Sequence, residues 1–368
     1  MTSLSWKGFL IRALLIALFT TLISREGLAS SENSQTATQI ILVPPGEDTR
    51  AALGEFWRVV IDGPIDANSG VVLEKLLRDS NVSAGIVYLN SPGGDVLASL
   101  AMGESIRERG LDTFVSRWVG QEAVAGSCLS ACVYSFLGGR FRFLPEGSRL
   151  AIHRFHGLQY SADDLEMGQA ISGEILRYFR SMGVTSEFYE RITRVPATTL
   201  VELEAKEAVE LGVVNNGRLP AEWSIEATDM GVYLRGAQHT VMGLGKVVFS
   251  CSPKGVSFMP YIFGGERLNS SIAEGVTSHQ ITLSERPHEI GGDGSKLFVL
   301  QDAVTGSFLL DDAIISEFSA ANSVGYVAVL SSEGSRYGFR VDINDSGNLV
   351  SNFLRQCIVW RNHLETQR

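Results

Sequence analysis

Ser130 and His153 carry the chemistry that this sequence offers most plainly. Ser130 lies in the small-residue run Ala125-Gly126-Ser127-Cys128-Leu129-Ser130-Ala131-Cys132, which leads into an apolar, helix-like segment. His153 closes the strand-like run Gly147-Ser148-Arg149-Leu150-Ala151-Ile152-His153. Upstream stands Val87-Tyr88-Leu89-Asn90-Ser91-Pro92-Gly93-Gly94-Asp95, a buried-type strand that turns on two glycines into a helix. A serine becomes a nucleophile beside a base, and acyl transfer needs N–H donors to hold the oxyanion. The three segments supply these parts in one order. Consecutive glycines let backbone N–H groups face a ligand with no Cβ in the way, and the helix that follows adds partial positive charge. Taken singly, each part has an ordinary explanation: a strand-to-helix turn, a structural serine, a core histidine.

The elements that must position these residues are legible as alternating strands and helices. Strands are expected at Phe56 to Ile65, Gly85 to Leu89, Thr113 to Ser116, Arg140 to Phe143, Arg149 to Phe155 and Gly212 to Val214. Helices are expected at Ala67 to Asp79, Asp95 to Arg109 (ending at Gly110), Ser130 to Leu137, Ala162 to Met182, Ser186 to Arg194 and Lys206 to Leu211. This alternation implies βαβ units and a mostly parallel sheet. After about Leu219 the texture changes to short alternating segments, among them Lys246 to Cys251, Gln280 to Ser284, Tyr326 to Leu330 and Tyr337 to Ile343. That is all-β patterning, with a terminal helix over Leu349 to Arg355.

Bulk properties bound the rest. The 368 residues are 45% hydrophobic, enough for roughly two domains. A formal charge of −10 without a basic stripe argues against a nucleic-acid partner. Lys7 and Arg12, the apolar run Ala13 to Ile23 and the small residues Gly27-Leu28-Ala29 read as a signal peptide cleaved after Ala29, with an uncleaved anchor as the alternative. Spanning a bilayer takes about 20 apolar residues, and this run is shorter. The body is therefore expected to be exported, to the periplasm or cell envelope. The divisions read as 1–29 signal peptide, 30–50 disordered lead, 51–218 an α/β domain and 219–368 a smaller β-rich domain.

In an oxidising compartment the four cysteines are free to pair. Cys251 and Cys357 read as a staple of the C-terminal half. Cys128 and Cys132, on either side of Ser130, leave three readings open: small core residues, a disulfide, or zinc ligands together with His153 and His156. A His-x-x-His pair on a strand turns its rings to opposite faces, which weighs against zinc. No metal or cofactor is expected.

Residues from about Arg58 to Val214 resemble the proteolytic subunit of the Clp protease, within the Clp/crotonase superfamily. The resemblance rests on Asn90-Ser91-Pro92-Gly93-Gly94, on Ser130 at a helix start, on Leu144-Pro145-Glu146-Gly147-Ser148-Arg149-Leu150-Ala151-Ile152-His153, and on Glu207-Ala208-Val209-Glu210-Leu211-Gly212-Val213-Val214. It is nearest to exported Clp-like proteins of bacteria. It implies a repeated ββα-type fold, Ser130 as nucleophile, His153 as general base, and the N–H groups of Gly94 and Ala131 as oxyanion donors. The family's aspartate has no counterpart: Leu200 falls near its place, leaving Glu202 or Glu204 as possible third members. A Ser–Lys dyad, as in signal peptide peptidase A, would draw on Lys206. The expectation is an exported, ATP-independent serine peptidase acting on peptides or flexible protein segments. No ATPase partner is expected, and the sequence leaves open whether the chain forms homo-oligomers as that family does. The alternative is a non-catalytic scaffold that binds through its C-terminal β domain. A coenzyme-A enzyme of crotonase type ranks below both, because that cofactor is cytoplasmic.

Overall fold

The computed structural model describes residues 38–367 apart from 121, 156–161, 230, 293–294 and 332–334. The expected signal peptide and His156 lie outside the described residues. In chain order the first elements are β1 (Gln39–Val43), α1 (Glu47–Leu53), β2 (Trp57–Asp62), α2 (Ser69–Asp79), β3 (Gly85–Asn90), α3 (Val96–Glu108), β4 (Asp112–Val119), β5 (Glu122–Ala125), β6 (Ser127–Leu129) and α4 (Cys132–Leu137). They continue with β7 (Arg142–Phe143), β8 (Arg149–Ile152), α5 (Ala162–Ser181), α6 (Ser186–Thr193), β9 (Val201–Glu202) and α7 (Ala205–Glu210).

One sheet runs β1-β2-β3-β4-β5, with β7 also on β4. Strands β2, β3, β4 and β7 are parallel, while β1 and β5 join antiparallel at the edges. Val59, Val60 and Ile61 are buried in succession, as a parallel strand covered on both faces requires. A second, three-stranded sheet has the order β6-β8-β9, with β6 and β8 parallel. Helix α3 starts where the Asp95 side chain accepts from the Ala98 N–H at 2.8 Å, and Gly110 follows its end at φ 63°.

Two expectations are corrected here. Residues 39–43 and the first turn of 47–53 fall in the 30–50 stretch read as a disordered lead, yet they form β1 and the start of α1. The run Gln39–Val43 is apolar and β-branched, and it completes the edge beside β2. Gly212 to Val214 is not a strand. Its carbonyls are turned instead toward Arg142.

Arg142 is buried and donates to five carbonyls. Nε reaches Val213 O at 2.9 Å, Nη2 reaches Gly212 O at 2.7 Å, and Nη1 reaches Leu137, Gly139 and Met182 O at 3.1–3.2 Å. Arg107 donates to Leu137 O and Gly139 O at 3.0 and 2.9 Å. Burial, with Arg107 alongside, pulls the Arg142 guanidinium down to about 9, still charged at neutral pH. These bonds fasten the C-terminal end of α4, whose six residues are all buried.

Residues beyond the first core form β10 (Glu222–Thr228), β11 (Gly231–Thr240), β12 (Gly243–Ser252), β13 (Gly255–Ile262), α8 (Glu266–Gly275), β14 (Val276–Leu283) and β15 (Arg286–Ile290). There follow β16 (Phe298–Leu300), β17 (Ala303–Thr305), β18 (Phe308–Leu309), α9 (Asp312–Glu317), β19 (Ser323–Leu330), β20 (Arg336–Asp342) and α10 (Leu349–Thr366). They make a seven-stranded sheet, β10-β11-β12-β13-β17-β16 with β18 on β13, and a four-stranded sheet, β15-β14-β19-β20. Leu234, Phe249, Phe258, Ile281 and Tyr326 centre a second hydrophobic core. The molecule is thus mixed α/β with parallel strands, followed by a β-rich region. Cys251 on β12 is disulfide-bonded to Cys357 on α10 across 106 residues, a closure that stabilises by about 2–5 kcal/mol.

His279 sits in this second core. Its Nε2 faces Ser295 O at 3.3 Å and its Nδ1 faces the Tyr326 hydroxyl at 2.7 Å. A carbonyl only accepts, so Nε2 carries the proton and Tyr326 donates to Nδ1. Burial holds the ring below the ordinary histidine value, so the folded state keeps it neutral while the unfolded chain protonates near pH 6.5. Stability is therefore full above about pH 6.5 and declines as pH falls toward the depressed folded value. Amide exchange in β14 and β19 should accelerate over that window, and His279→Gln should flatten the dependence. Arg142→Leu should lower the unfolding free energy by about 3–5 kcal/mol in denaturant titration, because it strands buried carbonyls.

Candidate active site

Parallel pairing of β6 with β8 brings the serine and the histidine together. Leu129 is in register with Ala151, so Ser130 and His153 both lie just past the carboxyl ends of these strands. Ser130 Oγ is 2.5 Å from His153 Nε2. The Ser130 backbone is left-handed, with φ 55°, and its N–H donates to Ala151 O at 2.8 Å. A non-glycine residue rarely takes this conformation, and its cost is maintained where the surroundings demand it. Here the chain passes from strand to helix through two residues, Ser130 and Ala131, and the inverted φ of the first is part of that turn. Both side chains are half-buried.

The glycine turn belongs to the same edge. Ser91 bridges Cys128 in parallel register. The Ser91 N–H donates to Ser127 O at 2.7 Å, and the Leu129 N–H donates to Ser91 O at 3.0 Å. Asn90 accepts from the Ser127 N–H at 3.0 Å and donates to Asp62 at 3.1 Å, linking β2, β3 and β6. Gly93, at φ 96°, packs directly against the serine. A Cβ on it would stand 2.6 Å from Leu129 O, 2.8 Å from the Ser130 Cβ and 3.0 Å from the Ala131 nitrogen. Gly94 approaches Ile65 instead, where a Cβ would meet Ile65 O at 2.0 Å. The Gly93 N–H is used internally, donating to Ser91 Oγ at 3.1 Å. Among the described residues, neither the Gly94 N–H nor the Ala131 N–H donates a hydrogen bond.

Other expected residues fall elsewhere. Glu202 lies on β9 opposite Ala151, but its carboxylate is held by Arg149 Nε at 2.9 Å, both side chains being exposed. Glu204 is exposed at the N-terminus of α7. Neither bonds to His153. Lys206 is exposed and faces Glu210 at 3.6 Å. Cys128 and Cys132 are joined in a disulfide with Cα atoms 5.3 Å apart, both fully buried, so their sulfurs are committed to each other. No cluster of three or more potential metal ligands occurs among the described residues. The positioning roles of Asn90, Ser91 and Gly93 were missed from sequence. The Asn-Ser-Pro-Gly-Gly string was itself the available signal, since a close backbone approach needs the first glycine as much as the second.

Comparison with known proteins adds one distant likeness. No family model matches the chain. A "Probable cytosol aminopeptidase" of Corynebacterium efficiens is 26% identical over 179 residues. That span is 48% of this chain and 34% of the relative, so the chain covers about a third of the relative's length. This finding overturns the assignment to the Clp family, and no Clp/crotonase fold is shown. The motifs that suggested it are short answers to local needs: a glycine turn where backbones touch, and a histidine where a strand ends. Such pieces recur on unrelated folds. The two disulfides indicate an oxidising environment outside the cytosol. No helix among the described residues is long and apolar enough to cross a membrane.

The backbone at residue 130 yields a direct prediction. Glycine takes a positive φ freely, whereas alanine pays for its Cβ. Ser130→Gly should be more stable than Ser130→Ala by about 1 kcal/mol in denaturant titration.

Proposed function

We propose that this chain is an exported serine hydrolase, a peptidase, in which Ser130 is the nucleophile and His153 the general base. The observation that carries the reading is the 2.5 Å approach of Ser130 Oγ to His153 Nε2, from a left-handed residue at a strand-to-helix turn. Nε2 accepts the hydroxyl proton as Oγ attacks the substrate carbonyl, and then returns it to the leaving amine. Water repeats the sequence in reverse, with His153 as base, and releases the acyl group. The Gly94 and Ala131 N–H groups hold the oxyanion of each tetrahedral intermediate. Among the described residues neither N–H is spent on an internal hydrogen bond, which supports that role. Neither glutamate expected as a third member meets the histidine; Ser130 and His153 are the two members that the reading assigns.

The aminopeptidase name of the distant relative supports a peptide or protein substrate, which needs no ATPase partner in this reading. The signal-like start of the sequence and the two disulfides support export. Residues 51–218 would form the catalytic domain and 219–368 the accessory β-rich domain.

Covalent labelling by a fluorophosphonate tests the site. Wild-type protein should be modified at Ser130, located by peptide mass spectrometry, and Ser130→Ala should lose the label. His153→Ala should slow labelling by about 10²-fold or more. An oxidised, folded wild type that resists labelling, or a Ser130→Ala variant that labels as well as wild type, would overturn the proposal and favour a binding role.

A further inference from the structure

We propose that the Cys128–Cys132 disulfide is a positioning device for Ser130: it locks the left-handed turn that delivers Oγ to His153. The inference rests on the Ser–His reading above and adds a residue pair to it. The two cysteines stand two residues before and two after the serine, one on β6 and one opening α4. Their Cα atoms are 5.3 Å apart, within the span that a disulfide bridges.

That distance is what the turn produces and what its relaxation would destroy. Four residues of extended chain cover about 13 Å, well past bridging range. Ser130 has reason to relax, because its φ of 55° is unfavourable for an L-residue. In relaxing it would swing Oγ away from His153. The disulfide removes the extended alternatives. Its anchor is firm, because Cys128 is registered with Leu150 of β8 on one side and with Ser91 of the glycine turn on the other. Through this one residue the tie connects the strand leading to His153, the turn bearing Gly94 and the helix start bearing Ala131. Both sulfurs are fully buried, so the bond faces packed side chains and takes no part in the chemistry. Every shift of the equilibrium toward the turn raises the fraction of molecules in which Oγ is within reach of the base.

The test uses the full chain and a fluorophosphonate probe, separating the limiting labelling rate from probe affinity. Cys128→Ala/Cys132→Ala protein removes the tie. Cys251→Ala/Cys357→Ala protein retains only this tie, which a phosphine then reduces. One phosphine and one water become a phosphine oxide, and the two sulfurs leave as two thiols, so both side chains remain in place. The limiting rate should fall tenfold to about 10²-fold in both untied proteins, with probe affinity unchanged, and re-oxidation should restore the reduced one. Labelling of the untied proteins at the wild-type rate overturns the inference and leaves the Ser–His reading standing. A loss that merely tracks the unfolded fraction, measured by melting each protein, also overturns it. Absence of labelling in oxidised wild type overturns the Ser–His reading, and the positioning role falls with it.

Discussion

The site depends on one backbone pairing, the parallel contact of β6 with β8. It is short, with only Ser127, Cys128 and Leu129 registered against Arg149, Leu150 and Ala151. Yet it ends in the bond from the Ser130 N–H to Ala151 O, and that bond sets the separation of the two reacting side chains. A slip of one residue would turn each side chain to the opposite face of the sheet and separate them. Parallel pairs are less stable per residue than antiparallel ones. The surroundings accordingly reinforce this one: Ser91 pairs with the free side of β6, Asn90 holds its first N–H, and the Arg149 N–H donates to Gly126 O at 2.9 Å just before it.

Helix α4 is the second support, and among the described residues its fixation runs through carbonyls. Arg142 and Arg107 point their guanidinium groups at the carbonyls that close α4 and α5 and at the 212–213 segment. Buried charge is costly unless fully hydrogen-bonded, and helix-end carbonyls are the groups left without intrahelical partners. Each need meets the other. The hydroxyls of Thr113, Ser135 and Tyr178 complete the clamp, Thr113 donating to Phe136 O, Ser135 to Ser99 O and Tyr178 to Tyr134 O. The glycines at 103 and 138 let helices α3 and α4 touch along their backbones. The serine turn is thus held rigidly from its helical side as well as from its strand side.

Much of this was legible in the sequence, and the failures have physical causes. Alternating apolar runs and amphipathic helices gave the parallel sheet, because burial imposes those periods. Ser130 and His153 stand out in the sequence as a serine in a small-residue turn before a helix and a histidine in a strand-like run, whereas β6, which sets Ser130 beside β8, is three residues long and too short to show a period. The left-handed φ of Ser130 was not legible, since serine carries no marker for it as glycine does. β1 was hidden because an edge strand of five residues next to a polar leader has too little periodicity to stand out. The sequence shows a strand only over Thr113 to Ser116; the rest of β4 and all of β5 carry no apolar period, β5 being exposed at each of its positions. Gly212 to Val214 looked like a strand from its valines, but its carbonyls are claimed by an arginine seventy residues away, a long-range demand that local pattern does not carry. Family likeness failed for a related reason. Turn and strand-end motifs are set by backbone geometry, and they recur wherever that geometry does.

The two cores meet where the chain crosses from one to the other, and the junction is polar. Arg218 reaches Gln238 and Asp342, each at 3.0 Å, while the Leu219 N–H donates to His239 O at 2.9 Å. The Asp342 side chain also accepts from Gln238 at 2.7 Å, so one carboxylate gathers the crossing point and two strands of the second core. Gly217 packs beside Phe143 of β7, and the next strand position is Arg142. The residue that clamps α4 is therefore one peptide from the seam with the β-rich region. The molecule thus keeps the strained turn stiff from three directions: pairing in the sheet, carbonyls gathered by buried arginine, and a covalent tie across the turn.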